Sequence, residues 1–118
     1  MPSPKIYNWN ADKNQLLRVF NNVIKNAIQA IPDDRKGVIA ITLQMAEHRA
    51  MVKVADNGKG IPDYEKDKVF VPNFTTKSSG MGIGLAMCKN IVESAGGYIW
   101  FESNEGEGTI FFIELPVI

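Results

Sequence analysis

The sequence predicts an α+β fold, a two-layer α/β sandwich whose mixed, mostly antiparallel sheet carries helices on one face. Two segments place apolar residues at steps of three and four, the period of a helix with one buried stripe. Four further segments are rich in strand-forming residues and come in two pairs, each pair joined by a turn. Antiparallel pairs separated by helices favour a sheet that is covered on one side.

A short strand and a long helix open the chain. Lys5 to Trp9 is predicted as the strand, and Asp12 to Ile31 as the helix. Asp12 and Gln15 have the spacing of a capping box, and Pro32 stops the helix. The stripe expected to be buried consists of Leu16, Phe20, Val23, Ala27 and Ile31.

The middle of the chain is predicted to be a strand pair followed by loops. Val38 to Met45 and Ala50 to Ala55 are the strands. Asp56 to Pro62 is a glycine-rich loop, and Asp63 to Phe70 forms one or two helical turns. Val71 to Gly82 is a loop long enough to suggest a function.

A second helix and a hairpin complete the prediction. The helix runs from Ile83 to Ala95 and ends at Gly96 and Gly97, which suit a helix C-terminus. Tyr98 to Ser103 and Thr109 to Leu115 form the hairpin, and Pro116 is expected to end its ladder. The buried residues expected in this helix are Leu85, Cys88, Ile91, Val92 and Ala95.

Composition narrows the class of protein. The 118 residues suit one domain, and the 45% hydrophobic share is ordinary for a globular chain. Thirteen basic and thirteen acidic residues cancel, which argues against a nucleic-acid partner. No apolar run reaches the roughly 20 residues that span a bilayer, and the single Cys88 excludes an internal disulfide. A cytoplasmic location is compatible with this.

Asn22 and Asn26 form the first candidate constellation. Residues four apart share one helix face, and asparagine is a mediocre helix former. The pair is either part of a solvated polar face or a source of neutral oxygen ligands for Mg²⁺, an ion that nucleotide phosphates often share.

Asp56 and the loop that follows form the second constellation. Gly58 and Gly60 let the backbone turn sharply and leave room for a flat ligand, while a carboxylate held there can accept a hydrogen bond from an exocyclic amine. The alternative is an ordinary turn, since Asp-Asn-Gly is good turn chemistry.

The third constellation is a candidate phosphate-binding lid. Thr75, Thr76 and Lys77 offer two hydroxyls and a cation, and the glycine run from Gly80 to Gly84 opens the second helix. Free N–H groups at a helix start attract anions. A surface loop without a ligand is the alternative.

Taken together and in order, these motifs resemble the ATP-binding catalytic domain of sensor histidine kinases. That domain belongs to a superfamily shared with gyrase, heat-shock chaperone and mismatch-repair ATPases, and has a Bergerat-type ATP-binding fold. The sequences that begin at Asn26 and at Phe74 resemble those of the nitrogen-regulation branch of these kinases. The motifs are Asn22-x-x-x-Asn26-Ala27, Asp56-x-Gly58-x-Gly60, Phe70-x-x-x-Phe74, Gly80-x-Gly82-x-Gly84-Leu85 and Gly106-x-Gly108-Thr109.

The resemblance implies ATP and Mg²⁺ as cofactors and a role for each matched residue. Asn26 would bind Mg²⁺, Asn22 would help at the metal and phosphates, and Asp56 would bind the adenine amine. Ile61, Phe70 and Thr109 would line or support the adenine end, with Gly58 and Gly60 shaping it. The lid would consist of Thr75, Thr76, Lys77, Gly80, Gly82, Ile83, Gly84 and Leu85, with Lys77 reaching the γ-phosphate.

Two departures from the wider superfamily affect the expected activity. Gyrase-type hydrolases carry a glutamate four residues before the metal-binding asparagine, where this chain has Asn22. A carboxamide is a poor general base, so a kinase is favoured over a hydrolase. The lid is also short, with Thr75 to Ser79 between Phe74 and Gly80.

The resemblance also implies partners that this chain does not contain. Kinases of this family transfer the γ-phosphoryl group to a histidine on a helical dimerisation domain, and then to a response regulator. His48 lies in a predicted turn, so we expect the acceptor domain to lie elsewhere in a longer parent. Residues 1–118 are therefore expected to be a single catalytic domain trimmed from the C-terminal part of that kinase.

Two other functions remain open from the sequence. One is an interaction module that has kept the fold without nucleotide binding, which intact Asn26 and Asp56 argue against. The other is a serine kinase or an ATPase of the same superfamily.

Overall fold

The structure, a computed structural model, describes residues 13–72 and 83–117. The predicted strand at Lys5 to Trp9 and the capping residue Asp12 lie outside those residues. In chain order the described elements are α1 Lys13–Gln29, β1 Ile39–Ala46, β2 Arg49–Asp56, α2 Asp63–Lys66, α3 Ile83–Ser94, β3 Tyr98–Asn104 and β4 Gly108–Pro116.

The four strands form one sheet in the order β1-β2-β4-β3. Every neighbouring pair among the described strands is antiparallel. The register places Asp56 opposite Thr109, and Thr109 opposite Ser103. The C-terminal ends of β2 and β3 and the start of β4 therefore meet at one end of the sheet. There the side chains of Asp56, Ser103 and Thr109 lie on the face toward the helices.

The core lies between this sheet and helices α1 and α3. Residues that are direct partners in antiparallel strands share a face, so Val54, Phe111 and Phe101 all point toward the helices. This agrees with the predicted two-layer arrangement. The core residues include Leu16, Val23, Ala27, Val54, Leu85, Val92, Ile99, Phe111, Ile113 and Leu115.

Helix α1 buries a different stripe from the one that the periodicity indicated. Val19 is completely buried, whereas the predicted Phe20 and Ile31 are only half-buried. The reason is that α1 packs against α3 as well as against the sheet. Val19 lies where α1 meets α3, with its carbonyl oxygen 3.8 Å from Cys88 Sγ. The helix also ends at Gln29, earlier than predicted.

Helix α3 carries a buried thiol toward α1. Cys88 is fully buried, and its Sγ lies 3.8 Å from the carbonyl oxygen of Val19. Burial raises the pKa of this thiol to about 11. Of the residues predicted to be buried in this helix, Ile91 is only half-buried, and Ala86 is buried in addition.

The prediction that Pro116 ends the final ladder is wrong. Pro116 pairs with Arg49 inside β4, and the Val117 N–H donates to the His48 carbonyl beyond it, at 2.6 Å. Since the Val117 N–H bonds toward β2, the nitrogen of the neighbouring Pro116 faces away from β2, so its missing donor removes no hydrogen bond between these two strands.

Strand β1 leaves part of its helix-side face uncovered within the described residues. Ile41, Leu43 and Met45 are direct partners of inward-facing β2 residues, yet they are 56%, 60% and 43% exposed. Helix α1 lies over β2, so β1 extends past its cover.

None of the described helices is long and apolar enough to cross a membrane.

Candidate functional site

Asp56 stands at the end of β2, on the helix-side face. Its Oδ1 accepts a hydrogen bond from the Gly58 N–H at 2.8 Å. Burial raises the pKa of this carboxyl, while backbone hydrogen bonds from Gly58 and Thr109 act in the opposite direction. The result is a half-buried carboxylate that backbone N–H groups of its own loop and of β4 stabilise, with Oδ1 bound to the loop.

A buried hydroxyl pair lies beside Asp56. Ser103 and Thr109 are 8% and 4% exposed, and their hydroxyl oxygens are 2.8 Å apart. Ser103 Oγ donates to the Gly108 carbonyl at 3.0 Å and accepts from the Ile61 N–H at 2.8 Å. Because that uses the Ser103 proton, the Thr109 hydroxyl donates to Ser103. The pair thus ties β3, β4 and the loop after Asp56 together.

Gly58 and Gly60 are required by protein packing. A Cβ on Gly58 would lie 2.5 Å from the Ala30 carbonyl oxygen at the end of α1. Gly60 has φ +73, a left-handed conformation that favours glycine, and a Cβ there would collide with the Asn104 carbonyl oxygen. The space that a Cβ would take is therefore filled by backbone at both positions, and room for a flat ligand beside this loop stays a prediction. These glycines shape the loop by letting it lie against α1 and the hairpin turn.

The loop is fastened on both sides. The Lys59 N–H donates to the Ala30 carbonyl at 2.9 Å, and the Gly106 N–H donates to the Lys59 carbonyl at 2.6 Å. The loop is thus held between the end of α1 and the β3–β4 turn, immediately after Asp56. Gly106, which the sequence associated with the hairpin turn, contributes through this backbone contact.

Asn22 and Asn26 lie on the same face of α1, and both are half-buried. Asn22 Nδ2 donates to the Arg18 carbonyl at 2.9 Å. A Cβ built on Gly84 would lie 2.6 Å from Asn22 Oδ1, so the first turn of α3 lies directly against this side chain. The fold therefore brings together the predicted site residues Asn22 and Gly84. This close approach requires that residue 84 has no side chain.

The residues present fit a magnesium ion that is shared with a ligand. Asn22 and Asn26 supply amide oxygens, a ligand type that Mg²⁺ accepts. No group of three or more His, Cys, Asp or Glu that could hold a metal ion occurs among the described residues. Mg²⁺ usually takes one or two protein ligands and completes its shell with water and phosphate oxygens. Two asparagine side chains are therefore enough.

The apolar residues predicted at the site lie mostly in the core. Ile61 is 1% exposed, and Leu85 is fully buried. Phe70 is half-buried and packs against Phe101 and Phe111, with ring centroids 5.9 and 6.4 Å apart. These side chains pack in the core beneath the loop that follows Asp56. A direct ligand contact by Phe70 remains a prediction.

The predicted lid lies largely outside the described residues. Thr75, Thr76, Lys77, Gly80 and Gly82 lie outside the described residues. Helix α3 begins at Ile83, as predicted, and its second residue, Gly84, lies next to Asn22.

Three residues of this region escaped the sequence reasoning. Ser103 could have been found, because it lies two residues after Phe101 and four after Ile99 and so shares their inward face. Arg35 and Asn57 hold the loop after Asp56 through side-chain hydrogen bonds. In the sequence they look like ordinary turn residues, and nothing local identifies their distant partners.

Comparison with known proteins establishes the class. Residues 11–118 match the family model for histidine kinase-, DNA gyrase B- and HSP90-like ATPases. The chain belongs to this family.

Similar proteins narrow the comparison to sensor kinases. The sensor histidine kinase ZraS of Escherichia coli (strain K12) is 45% identical over 107 residues, which cover 91% of this chain and 23% of ZraS. Sporulation kinase A of Bacillus subtilis (strain 168) is 41% identical over 107 residues, 91% of this chain and 17% of that kinase. The chain thus spans less than a quarter of these curated relatives.

Solved structures agree with the sequence relatives. The catalytic domain of histidine kinase ThkA, in a nucleotide-free form, superimposes with TM-score 0.77 at 39% identity, covering 90% of this chain and 69% of that one. The mycobacterial sensor histidine kinase MprB gives TM-score 0.79 at 29% identity over 94% of this chain and 78% of its own. The predicted fold class and the predicted resemblance to sensor histidine kinase catalytic domains are confirmed. The nitrogen-regulation branch stays a prediction.

Proposed function

We propose that this chain is the Mg²⁺-ATP-binding catalytic domain of a sensor histidine kinase, and that it donates the γ-phosphoryl group of ATP to a histidine on a separate dimerisation domain. The observation that carries the proposal is the convergence of three motifs distant in sequence. Asp56 is held beside Thr109, its loop lies against the end of α1, and α1 presents Asn22 to the start of α3.

In the proposed binding mode, the adenine of ATP lies at Asp56 and the triphosphate lies at Asn22 and Asn26. Asp56, with one oxygen bound to the Gly58 N–H, offers its other oxygen to the adenine amine. Asn26 and Asn22 would hold Mg²⁺ and the phosphates, where the ion would neutralise phosphate charge. The lid proposed around Lys77 would cover the phosphates, with its cation on the γ-phosphate.

The proposed reaction transfers the γ-phosphoryl group from an oxygen of ATP to a ring nitrogen of the acceptor histidine. The bond between the γ-phosphorus and the β–γ bridging oxygen breaks, ADP leaves with that electron pair, and the acceptor imidazole nitrogen forms the new P–N bond. This chain contributes positioning and charge stabilisation, the main sources of catalysis in phosphoryl transfer. Asn22 stands where hydrolases of the superfamily have a glutamate, so water near the γ-phosphate lacks a general base.

The proposal assigns the remaining parts to a longer parent protein. Residues 1–118 would be its catalytic domain, acting in the cytoplasm on a histidine-bearing dimerisation domain of the same protein. A response regulator would then receive the phosphoryl group. The relatives support this because the matched segment is 17–23% of their length.

Calorimetry with and without Mg²⁺ tests nucleotide binding. We expect ATP to bind and Mg²⁺ to strengthen it, and a thermal-shift series should show a rising midpoint because ATP binds the native state. Absence of ATP binding under both conditions would contradict the proposal and leave an interaction module as the reading of the fold.

A transfer assay separates a kinase from a hydrolase. The chain is mixed with the parent's dimerisation domain and ATP labelled at the γ-phosphate. We expect an acid-labile, base-stable label on that domain, and a matched sample with its histidine changed to glutamine should stay unlabelled. Rapid release of free phosphate without labelling would show an ATPase, and an acid-stable label would show a serine kinase.

A further inference from the structure

Arg35 lies in the turn between α1 and β1 and reaches three carbonyl groups. Its Nη1 is 3.0 Å from the Asn57 oxygen, 3.3 Å from the Gly58 oxygen and 3.1 Å from the Gly106 oxygen. The first two belong to the loop after Asp56, and the third to the β3–β4 turn. One guanidinium therefore joins the two segments that flank the candidate adenine end.

The contact with Asn57 leads directly to Asp56. The peptide group between Asn57 and Gly58 has its C=O bound to Arg35 and its N–H bound to Asp56 Oδ1, at 3.0 and 2.8 Å. Hydrogen bonds in such a chain polarise one another, because the donor on one side strengthens the N–H on the other. A charged donor at the start makes this chain stronger than one between neutral groups.

The Asn57 side chain fixes the same turn from the opposite direction. Its Oδ1 accepts from the Val38 N–H at 2.8 Å, and its Nδ2 donates to the Lys36 carbonyl at 2.9 Å. The turn and the loop thus hold each other through side chains from both sides. This leaves the Asn57–Gly58 peptide little freedom to rotate and carry the Asp56 carboxylate with it.

We propose that Arg35 is a positioning residue for Asp56: through the Asn57–Gly58 peptide it fixes one carboxylate oxygen, so that the other is aimed at the exocyclic amine of the purine. Arg35 thereby determines the preference for adenine over a base that lacks this amine. The inference rests on the proposed function, since it assigns the base-reading role to Asp56.

Arg35→Gln is the informative substitution, with Lys36→Gln as its matched control. Both remove one cation from the same turn, but Lys36 is exposed and meets the loop through its backbone carbonyl, which the substitution keeps. Affinities for ATP and inosine triphosphate are measured by calorimetry, because the second nucleotide has a carbonyl where adenine has the amine. The ratio of the two affinities isolates base recognition from phosphate binding.

We expect Arg35→Gln to weaken ATP by roughly tenfold, the effect of one hydrogen bond to a charged group, and to leave inosine triphosphate unchanged. The ATP preference should collapse by the same factor, and Lys36→Gln should keep it. An unchanged preference in Arg35→Gln would overturn the inference, even if its melting temperature fell. If the unsubstituted chain binds neither nucleotide, the proposed function fails instead.

A nucleotide-free measurement tests the peptide chain itself. In Arg35→Gln the Gly58 amide proton should shift upfield in the NMR spectrum, because its N–H bond to Asp56 weakens, whereas Lys36→Gln should leave it in place. If Arg35→Gln does not fold, Arg35→Lys replaces it in both experiments and should give the same changes at smaller size, since one ammonium cannot match the guanidinium's geometry. A Gly58 shift that neither variant moves would refute the link.

Discussion

The two ends of the candidate site are built in different ways. Around Asp56, hydrogen bonds join β3, β4, the loop 57–60 and the turn before β1, and the hydroxyls of Ser103 and Thr109 are buried among them. Around Asn26, side chains project from one helix and meet the first turn of α3 through Asn22. We call the first end the frame, because hydrogen bonds join its four segments to one another. The second end is a contact between two helices.

Under the proposed function, this difference predicts separate roles for the two ends in binding the nucleotide. A frame that is already rigid avoids the cost of ordering on binding, which suits the recognition of a flat base. Polar side chains on helices can adapt to a triphosphate and its metal, which supply part of the coordination themselves. Substitutions at the first end should therefore change base affinity or stability, and those at the second should change metal dependence.

The largest expected effect comes from Asp56→Asn. The amide would keep the Gly58 contact through its oxygen and present its NH₂ group to the adenine amine, which also donates. We expect ATP affinity to fall by roughly 10- to 100-fold, since a hydrogen bond to a charged group contributes about 1.5–3 kcal/mol. Calorimetry measures it, with Asp33→Asn, a change in an exposed turn, as the control. Unchanged ATP affinity would remove Asp56 from the adenine end.

Asn26→Ala should have a smaller effect that depends on the metal. We expect ATP affinity to fall by roughly tenfold with Mg²⁺ and much less without it, because one oxygen ligand is lost. Asn21→Ala, an exposed change on the same helix, serves as the control. Equal losses with and without Mg²⁺ would contradict a metal role and weaken the comparison between the two ends.

Ser103→Ala tests whether the frame is held by its buried hydroxyls. The Ile61 N–H and the Thr109 hydroxyl would each lose a partner, at a cost of about 1–3 kcal/mol in the free energy of unfolding. Urea unfolding measures this, and Ser94→Ala at the exposed end of α3 should be near neutral. An equally small loss at Ser103 would mean that the frame is stabilised by the backbone contacts alone.

The smallest expected effect is on the pH dependence of stability. Burial raises the pKa of Asp56 in the folded state above its ordinary 3.8, so the folded chain binds more protons in the interval between the two values. The contribution of Asp56 to stability is therefore highest at acid pH, declines as pH rises through that interval, and stays constant above it. Compared with Asp56→Asn in urea unfolding, the unsubstituted chain should lose relative stability across this window. Parallel curves would show that burial does not penalise the carboxylate.

Local patterns predicted the fold well because each element carries its own period. The inward alternation of Ile99, Phe101 and Ser103 and the helical steps in α1 are properties of short segments. The pairing of Asp56 with Thr109 is different, because it joins residues on strands that are distant in the sequence. The family resemblance placed both residues at the adenine end, and the register adds that they are direct partners on neighbouring strands. Arg35 was missed for the same reason, since its partners at 57, 58 and 106 cannot be read from a charged turn.

The buried Cys88 provides a chemical reporter of the contact between α1 and α3. It is the only cysteine in the sequence, and its pKa of about 11 leaves roughly one thiol in ten thousand as the reactive thiolate at neutral pH. A thiol reagent therefore reacts at an appreciable rate only when the two helices separate, and the labelling rate measures the free energy of that opening. A triphosphate held between α1 and α3 would slow the labelling, so reaction kinetics at one natural atom would report ligand occupancy.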